Sequence, residues 1–146
     1  MQKTIGEFKS LLEQSSAALA RISESDSKRK PAPDKWSKKE ILGHLIDSAA
    51  NNHQRFFRAQ LTTGIKLPGY EQEAWVTTQR YQDEPWGDLL QLWKSYNLHL
   101  LHLISVIPSN ALGNLCSVGG EEPATLEFLI QDYVTHLKHH IEQILK

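Results

Sequence analysis

The sequence predicts an all-α four-helix bundle, ordered up-down-down-up, with a long crossover between the second and third helices. Three observations lead there. Apolar residues recur at 3.6-residue spacing over four long stretches. No β-rich stretch competes with them. The segment joining the second and third helices, about Thr62–Glu84, far exceeds the roughly 2–8 residues that join antiparallel neighbours in a bundle.

In chain order, the first helix covers about Lys3–Glu24, with Ile5, Phe8, Leu11, Leu12, Leu19 and Ile22 on one side. SESDSKRKPAPDK follows, polar and twice broken by proline, and reads as a loop. Ser37-Lys-Lys-Glu40 has the pattern of a capping box and starts the second helix, which runs to about Leu61. Gly64, Pro68 and Gly69 interrupt the crossover, with a short helix in EQEAWVTTQRY. Pro85 suits the first position of the third helix, whose stripe is Trp86, Leu89, Leu90, Trp93, Asn97, Leu100, Ile104 and Ile107. Pro108–Pro123 reads as loop, and Thr125 as the cap of the fourth helix. A second helix of some 25 residues is about 37 Å long, and the crossover suffices to carry the chain back along it. The second and third helices then run parallel, and the first and fourth antiparallel to them.

Composition narrows the function. The 146 residues fit one domain, 1–146, large enough to bury about 68–70% of its unfolded surface without staples. Sixteen basic and 17 acidic residues leave a formal charge of −1, so no basic field for nucleic acid is expected. The cluster Lys28, Arg29, Lys30 reads as a solvated loop. A single cysteine, Cys116, excludes an intramolecular disulfide and suits a reducing compartment. No leader-like apolar region opens the chain and no run approaches about 20 apolar residues, so no membrane partner is expected and the reading is cytoplasmic.

The chemistry gathers in the histidines. His136 and His140 are four apart in YVTHLKHHIEQILK, which stacks them on one helix face. At about 100° per residue, His140 lies about 45° from the centre of the apolar stripe, His136 about 85° and His139 about 145°. The first two therefore border the core and His139 looks outward. Such a pair can grip one metal ion, or simply be two interfacial side chains, so a third ligand has to come from elsewhere. The topology offers His44, two turns into the second helix and at the same end of the bundle. It shares an edge with Ile41, Ser48 and Arg55, off the Leu42–Leu45–Ala49 stripe, as the wall of a polar cavity would. His53 lies about 13 Å further along the axis, too far to share an ion. His99 and His102 fall on the outer face of the third helix.

HLIDSAANNHQRF in the second helix, PGYEQEAWV in the crossover and TLEFLIQDYVTHLKHHIEQI at the end resemble the DinB-like metal-binding superfamily, in the family's order over nearly the whole chain. The family's helix-two histidine matches His44, and its terminal cluster matches His136, His139, His140 and Gln143. The resemblance implies an up-down-down-up bundle and a divalent ion held by His44, His136 and His140. It also implies enzymes that use low-molecular-weight thiols, or metal-dependent hydrolases, and proteins that often pair.

Three neutral imidazoles leave at least one position open on a divalent ion, zinc or nickel by ligand preference. A water or a thiol placed there ionises near neutral pH. The first functional reading is a transferase that activates a small thiol, the second a hydrolase, and the third a non-catalytic, stress-related metal-binding bundle. Tyr70, Glu71, Glu73, Trp75 and Tyr81 are candidates to line a pocket, Glu71 or Glu73 serving as general base or remaining solvated. Asp47, one turn from His44, either orients it or is solvated. Cys116 reads as a passive loop thiol. The expected partners are a small-molecule substrate and a second copy of the chain, a homodimer packed through the crossover aromatics Tyr70, Trp75 and Tyr81, unless these wall the pocket instead.

Overall fold

In the computed structural model, which describes residues 1–146, α1 (Gln2–Ala20) leads into a short α2 (Glu24–Lys28) and the long α3 (Lys38–Leu61). A strand β1 (Ile65–Leu67) and a helix α4 (Gln72–Gln79) occupy the crossover to α5 (Trp86–Ser105). Strands β2 (Leu115–Val118) and β3 (Ala124–Thr125) then precede α6 (Leu126–Leu145). The expected helical bundle forms from α1, α3, α5 and α6.

The caps expected from sequence set two of these helices. Ser37 Oγ accepts from the Glu40 N–H at 3.2 Å while the Ser37 N–H donates to Glu40 Oε2 at 2.8 Å, closing the capping box. Thr125 Oγ1 accepts from the Phe128 N–H at 3.1 Å and starts α6. Pro85 is the residue before α5 rather than its first position.

Side contacts give the relative sense of the helices. The Trp86 indole, at the start of α5, donates to the Leu19 carbonyl at the end of α1, so these two are antiparallel. Phe8 of α1 meets Tyr133 of α6 edge-on at 5.9 Å, each about two turns in, so these run together. His53 of α3 bonds Tyr96 of α5 at 3.0 Å, and Lys39 at the start of α3 reaches Glu84 just before α5; these also run together. The early turns of α3 meet the last turns of α6 through His44, His136 and His140.

The apolar faces meet in one cluster that includes Phe8, Leu12, Leu45, Phe56, Trp93, Leu100, Ile130, Leu137 and Ile144. Burying each such side chain contributes about 1.5–3 kcal/mol. One polar pin crosses this core: the Tyr133 hydroxyl donates to Asn97 Oδ1 at 2.6 Å, and Asn97 Nδ2 donates to the Trp93 carbonyl at 2.9 Å.

Two expectations need correction. The first helix ends at Ala20, not Glu24, because Ser23 accepts from the Asp26 N–H and caps α2 inside the stretch read as loop. This turn carries Glu24 to the junction of two helices. There it accepts from the Trp86 N–H at 2.8 Å, at the α5 N-terminus, and pairs with the buried Lys39 of α3. The second correction is a small sheet in segments read as irregular. β1 pairs parallel with β2, Ile65 opposite Cys116, and β2 pairs antiparallel with β3. Strands of two to four residues carry no readable alternation; their pairing arises only because the crossover and the last loop lie side by side. Gly119 and Gly120, with φ of 61° and 80°, make the turn between β2 and β3 in a region that side chains disfavour.

Candidate metal centre

The second turn of α3 sets His44 almost wholly out of solvent, at 1% exposure. Two aromatic residues pack around that turn. Trp36, just before the helix, lies against the His44 ring at 5.2 Å. Tyr81 packs so closely on Gly43 that a Cβ there would stand 2.1 Å from its ring. No residue larger than glycine fits under that ring.

From α6, His136 and His140 come up on one face as their spacing requires, half-buried, with ring centroids 4.5 Å apart. His44, His136 and His140 each offer a nitrogen, and these lie within 4.8 Å of one another. His44 Nε2 and His136 Nε2 are 3.1 Å apart. His139 is exposed and packs on the outer side of His140, as its angle on the helix indicates.

Burial and mutual repulsion keep these rings neutral. Burial first, then His136 and His140, pull the His44 pKa down to about 4. Burial, then His140, bring His136 to about 4, partly opposed by Asp132. Burial also lowers that of His140. A metal needs such neutral rings as donors. Two nitrogens on one tetrahedral zinc stand about 3.3 Å apart, from bond lengths of about 2.0–2.1 Å; the 3.1 Å pair is close to that. His140 Nδ1 hydrogen-bonds Gln143 Oε1 at 2.9 Å, which places its proton on Nδ1 and turns Nε2 free as a donor to the cluster. The donor set fits a divalent transition ion.

A cavity of about 340 Å³ opens beside the cluster, lined by His44 and His136 together with Ser48, Asn52, Arg55 and Tyr70. The polar edge of α3 seen in sequence is its wall: His44, Ser48, Asn52 and Arg55 recur at i, i+4, i+8 and i+11. A separate groove of about 660 Å³, lined by none of the three histidines, is bordered by Trp36, Ile41, Glu73 and Gln143. Trp36, which the sequence did not connect with the cluster, packs on His44, and Gln143, matched in sequence to the family's terminal motif, bonds His140. Gln143 stands three residues from His140, a spacing that signals such a contact; Trp36 carries no local signal.

Of the pocket candidates, only Tyr70 lines the cavity. Glu71 is exposed at the start of α4 and Glu73 faces the outer groove. Trp75 packs edge-on against Tyr70 at 5.4 Å while remaining 38% exposed. Tyr81 is buried, its hydroxyl donating to Asp47 Oδ1 at 2.6 Å. Asp47 makes no hydrogen bond to His44 and is not solvated: Oδ1 holds Tyr81 and Gln79 of the crossover, while Oδ2 and His44 Nδ1 are both buried without partners. Cys116 is not in a loop but in β2, buried, lining the cavity, with burial pushing its thiol pKa up. His53 is half-buried on Tyr96, and His99 and His102 are exposed, all away from the cluster.

The model of the DinB superfamily matches residues 7–144. The chain belongs to the DinB superfamily. Among solved structures, it is similar to YfiT from Bacillus subtilis, described as "a probable metal-dependent hydrolase with an unusual four-helix bundle topology". The TM-score is 0.86 at 20% identity, over 98% of this chain and 82% of YfiT. It is also similar to the mycothiol-dependent maleylpyruvate isomerase, with a TM-score of 0.79 at 7% identity, over 98% of this chain. This DinB-superfamily chain spans 60% of the isomerase's length. At such identities the likeness is one of fold. No curated protein matches in sequence. No helix is long and apolar enough to cross a membrane.

Proposed function

We propose that this protein is a metal-dependent enzyme that joins a low-molecular-weight thiol to a small electrophile, with His44, His136 and His140 as the ligands of a zinc or nickel ion. The observation that carries this reading is the convergence of three neutral imidazoles, two of which line the cavity along α3. A cavity of about 340 Å³ admits an organic molecule beside the imidazoles, as transfer to a small electrophile requires. A divalent ion in this site supplies a Lewis acid at which a thiol ionises near neutral pH. His44, held between Trp36 and the α6 pair, fixes where that happens. Gln143 holds His140 in the tautomer that presents Nε2. Asn52, Ser48 and Tyr70 line the cavity through which a small molecule would approach the three imidazoles.

A hydrolytic reading is second, supported by Asp132. It lies one turn before His136 and borders the same cavity, placed to take a proton from an attacking water. The YfiT likeness agrees with that reading and the isomerase likeness with the first. Loading the protein with Zn²⁺ or Ni²⁺ and supplying 1-chloro-2,4-dinitrobenzene with a panel of small thiols separates the two. Thiol-dependent release of chloride supports transfer. Cleavage of p-nitrophenyl acetate without thiol supports hydrolysis. Metal uptake with neither reaction leaves a binding bundle. The reading includes a homodimer, supported by exposed Trp75, and a cytoplasmic location, supported by the unpaired buried Cys116.

A further inference from the structure

The reading above leaves the electrophile unnamed, and the inference here, which rests on that reading, concerns the group it carries. Arg55 is the only arginine or lysine lining the cavity beside the histidines. It follows His44 by eleven residues, about 16 Å along α3 and within about 20° of the same face. Helical side chains lean toward the helix N-terminus, the direction in which His44 lies along α3.

Arg55 is half-buried and forms no ion pair; the exposed Glu121, whose charge it feels, does not reach it. The ion pairs of the molecule use other residues throughout. The Tyr70 ring lies 5.9 Å from the guanidinium carbon to the centroid, a cation–π contact that supplies no hydrogen-bond acceptor for its N–H groups. The carboxylates bordering the cavity, Glu121, Glu122 and Asp132, are exposed and none is within ion-pair distance. A partly desolvated guanidinium without an acceptor is costly, whereas its rigid fork of donors matches a planar carboxylate in two parallel bonds.

The geometry points to a substrate that bears a carboxylate: Arg55 receives the carboxylate at the far end of the cavity, Tyr70 lies against it, and the rest of the molecule runs past Asn52 and Ser48 to the histidines. The subsite sets which small molecules enter, and the histidines set what happens to them.

The test is binding of benzoate against its neutral isostere benzamide to the full chain, by NMR or calorimetry, with the protein metal-free and again with Ni²⁺ bound. Benzoate is expected to bind about tenfold or more tightly in both states. That preference is lost in Arg55→Gln and partly kept in Arg55→Lys, with Ni²⁺ uptake unchanged in both variants. Equal binding of the two probes by the unaltered chain overturns the inference and needs no variant to fold. So does a preference that survives Arg55→Gln, one that appears only with Ni²⁺, or stronger binding of inorganic phosphate than of benzoate. If the chain takes up no Ni²⁺ yet prefers benzoate through Arg55, the carboxylate subsite stands and the metal reading falls. The converse result removes the subsite alone.

Discussion

His44 Nε2 and His136 Nε2 stand 3.1 Å apart although 92 residues separate them in the chain. Nothing local to either helix brings them together. The capping box fixes the start of α3, the crossover returns the chain so that α6 runs against α3, and the two rings meet where the early turns of one pass the last turns of the other. Neither ring forms a hydrogen bond or ion pair with a carboxylate, and packing takes His44 almost wholly and His136 partly out of water.

That loss makes the metal-free protein sensitive to acid. The folded pKa values of His44 and His136, about 4, lie below the ordinary 6.5. Between these values the unfolded chain binds more protons than the folded one, so stability rises with pH through that window. The contribution is complete above about pH 6.5 and is lost as pH falls towards about 4. Urea midpoints measured between pH 7.5 and 4.5 should fall accordingly, and replacing His44 and His136 together with glutamine should flatten the slope. An unchanged slope would mean that the pair is already solvated.

Gly43→Ala tests how tightly the crossover is fastened over the site. The added Cβ would stand 2.1 Å from the Tyr81 ring, so the ring must move, and with it the hydroxyl that bonds Asp47. Overpacking of this kind costs about 1–3 kcal/mol. A melting temperature indistinguishable from that of the unaltered protein would show that Tyr81 does not press on α3 in solution.

Ligands separate from bystanders by substitution. His44→Ala, His136→Ala and His140→Ala are each expected to lower divalent-metal affinity severely, about 10-fold or more per lost nitrogen. His139→Ala and His102→Ala should leave it nearly unchanged, because both rings are exposed and neither belongs to the group of three converging nitrogens. Loss of binding in His139→Ala with retention in His136→Ala would reverse the roles on α6.

Assembly has its own readout. Light scattering should give about twice the 16.6 kDa chain mass, with Trp75 shielded from quenchers on association. A monomer at high micromolar concentration would leave Trp75 packed on Tyr70, itself in the cavity wall, with no second copy over it.

Much of this was legible because it depends on spacing along single helices. Ser37 with Glu40, Thr125, and the four-residue step from His136 to His140 are local patterns, and local patterns survive folding. The length of 62–85 could be read as a return along α3 without knowing its path. What depended on segments approaching in space was hidden. Ile65 pairs with Cys116 only because two distant loops meet, and Trp36 reaches His44 from a stretch with no periodicity at all. Asp47 was misread for the same reason: its spacing points to His44, but Tyr81 and Gln79 arrive from the crossover and take its carboxylate. Arg55 could be placed on the right edge of α3, yet its lack of an ion pair shows only once Tyr70 and β2 close the cavity around it.

The three-histidine site is tested most directly by titrating the metal-free chain with Ni²⁺ and Zn²⁺ at pH 8, with elemental analysis of the loaded protein. About one ion per chain is expected, with Mg²⁺ unable to compete because imidazole favours borderline transition metals, and with uptake weakening below about pH 6.5. No uptake at pH 8, or uptake undiminished in the His44→Ala variant, would contradict it.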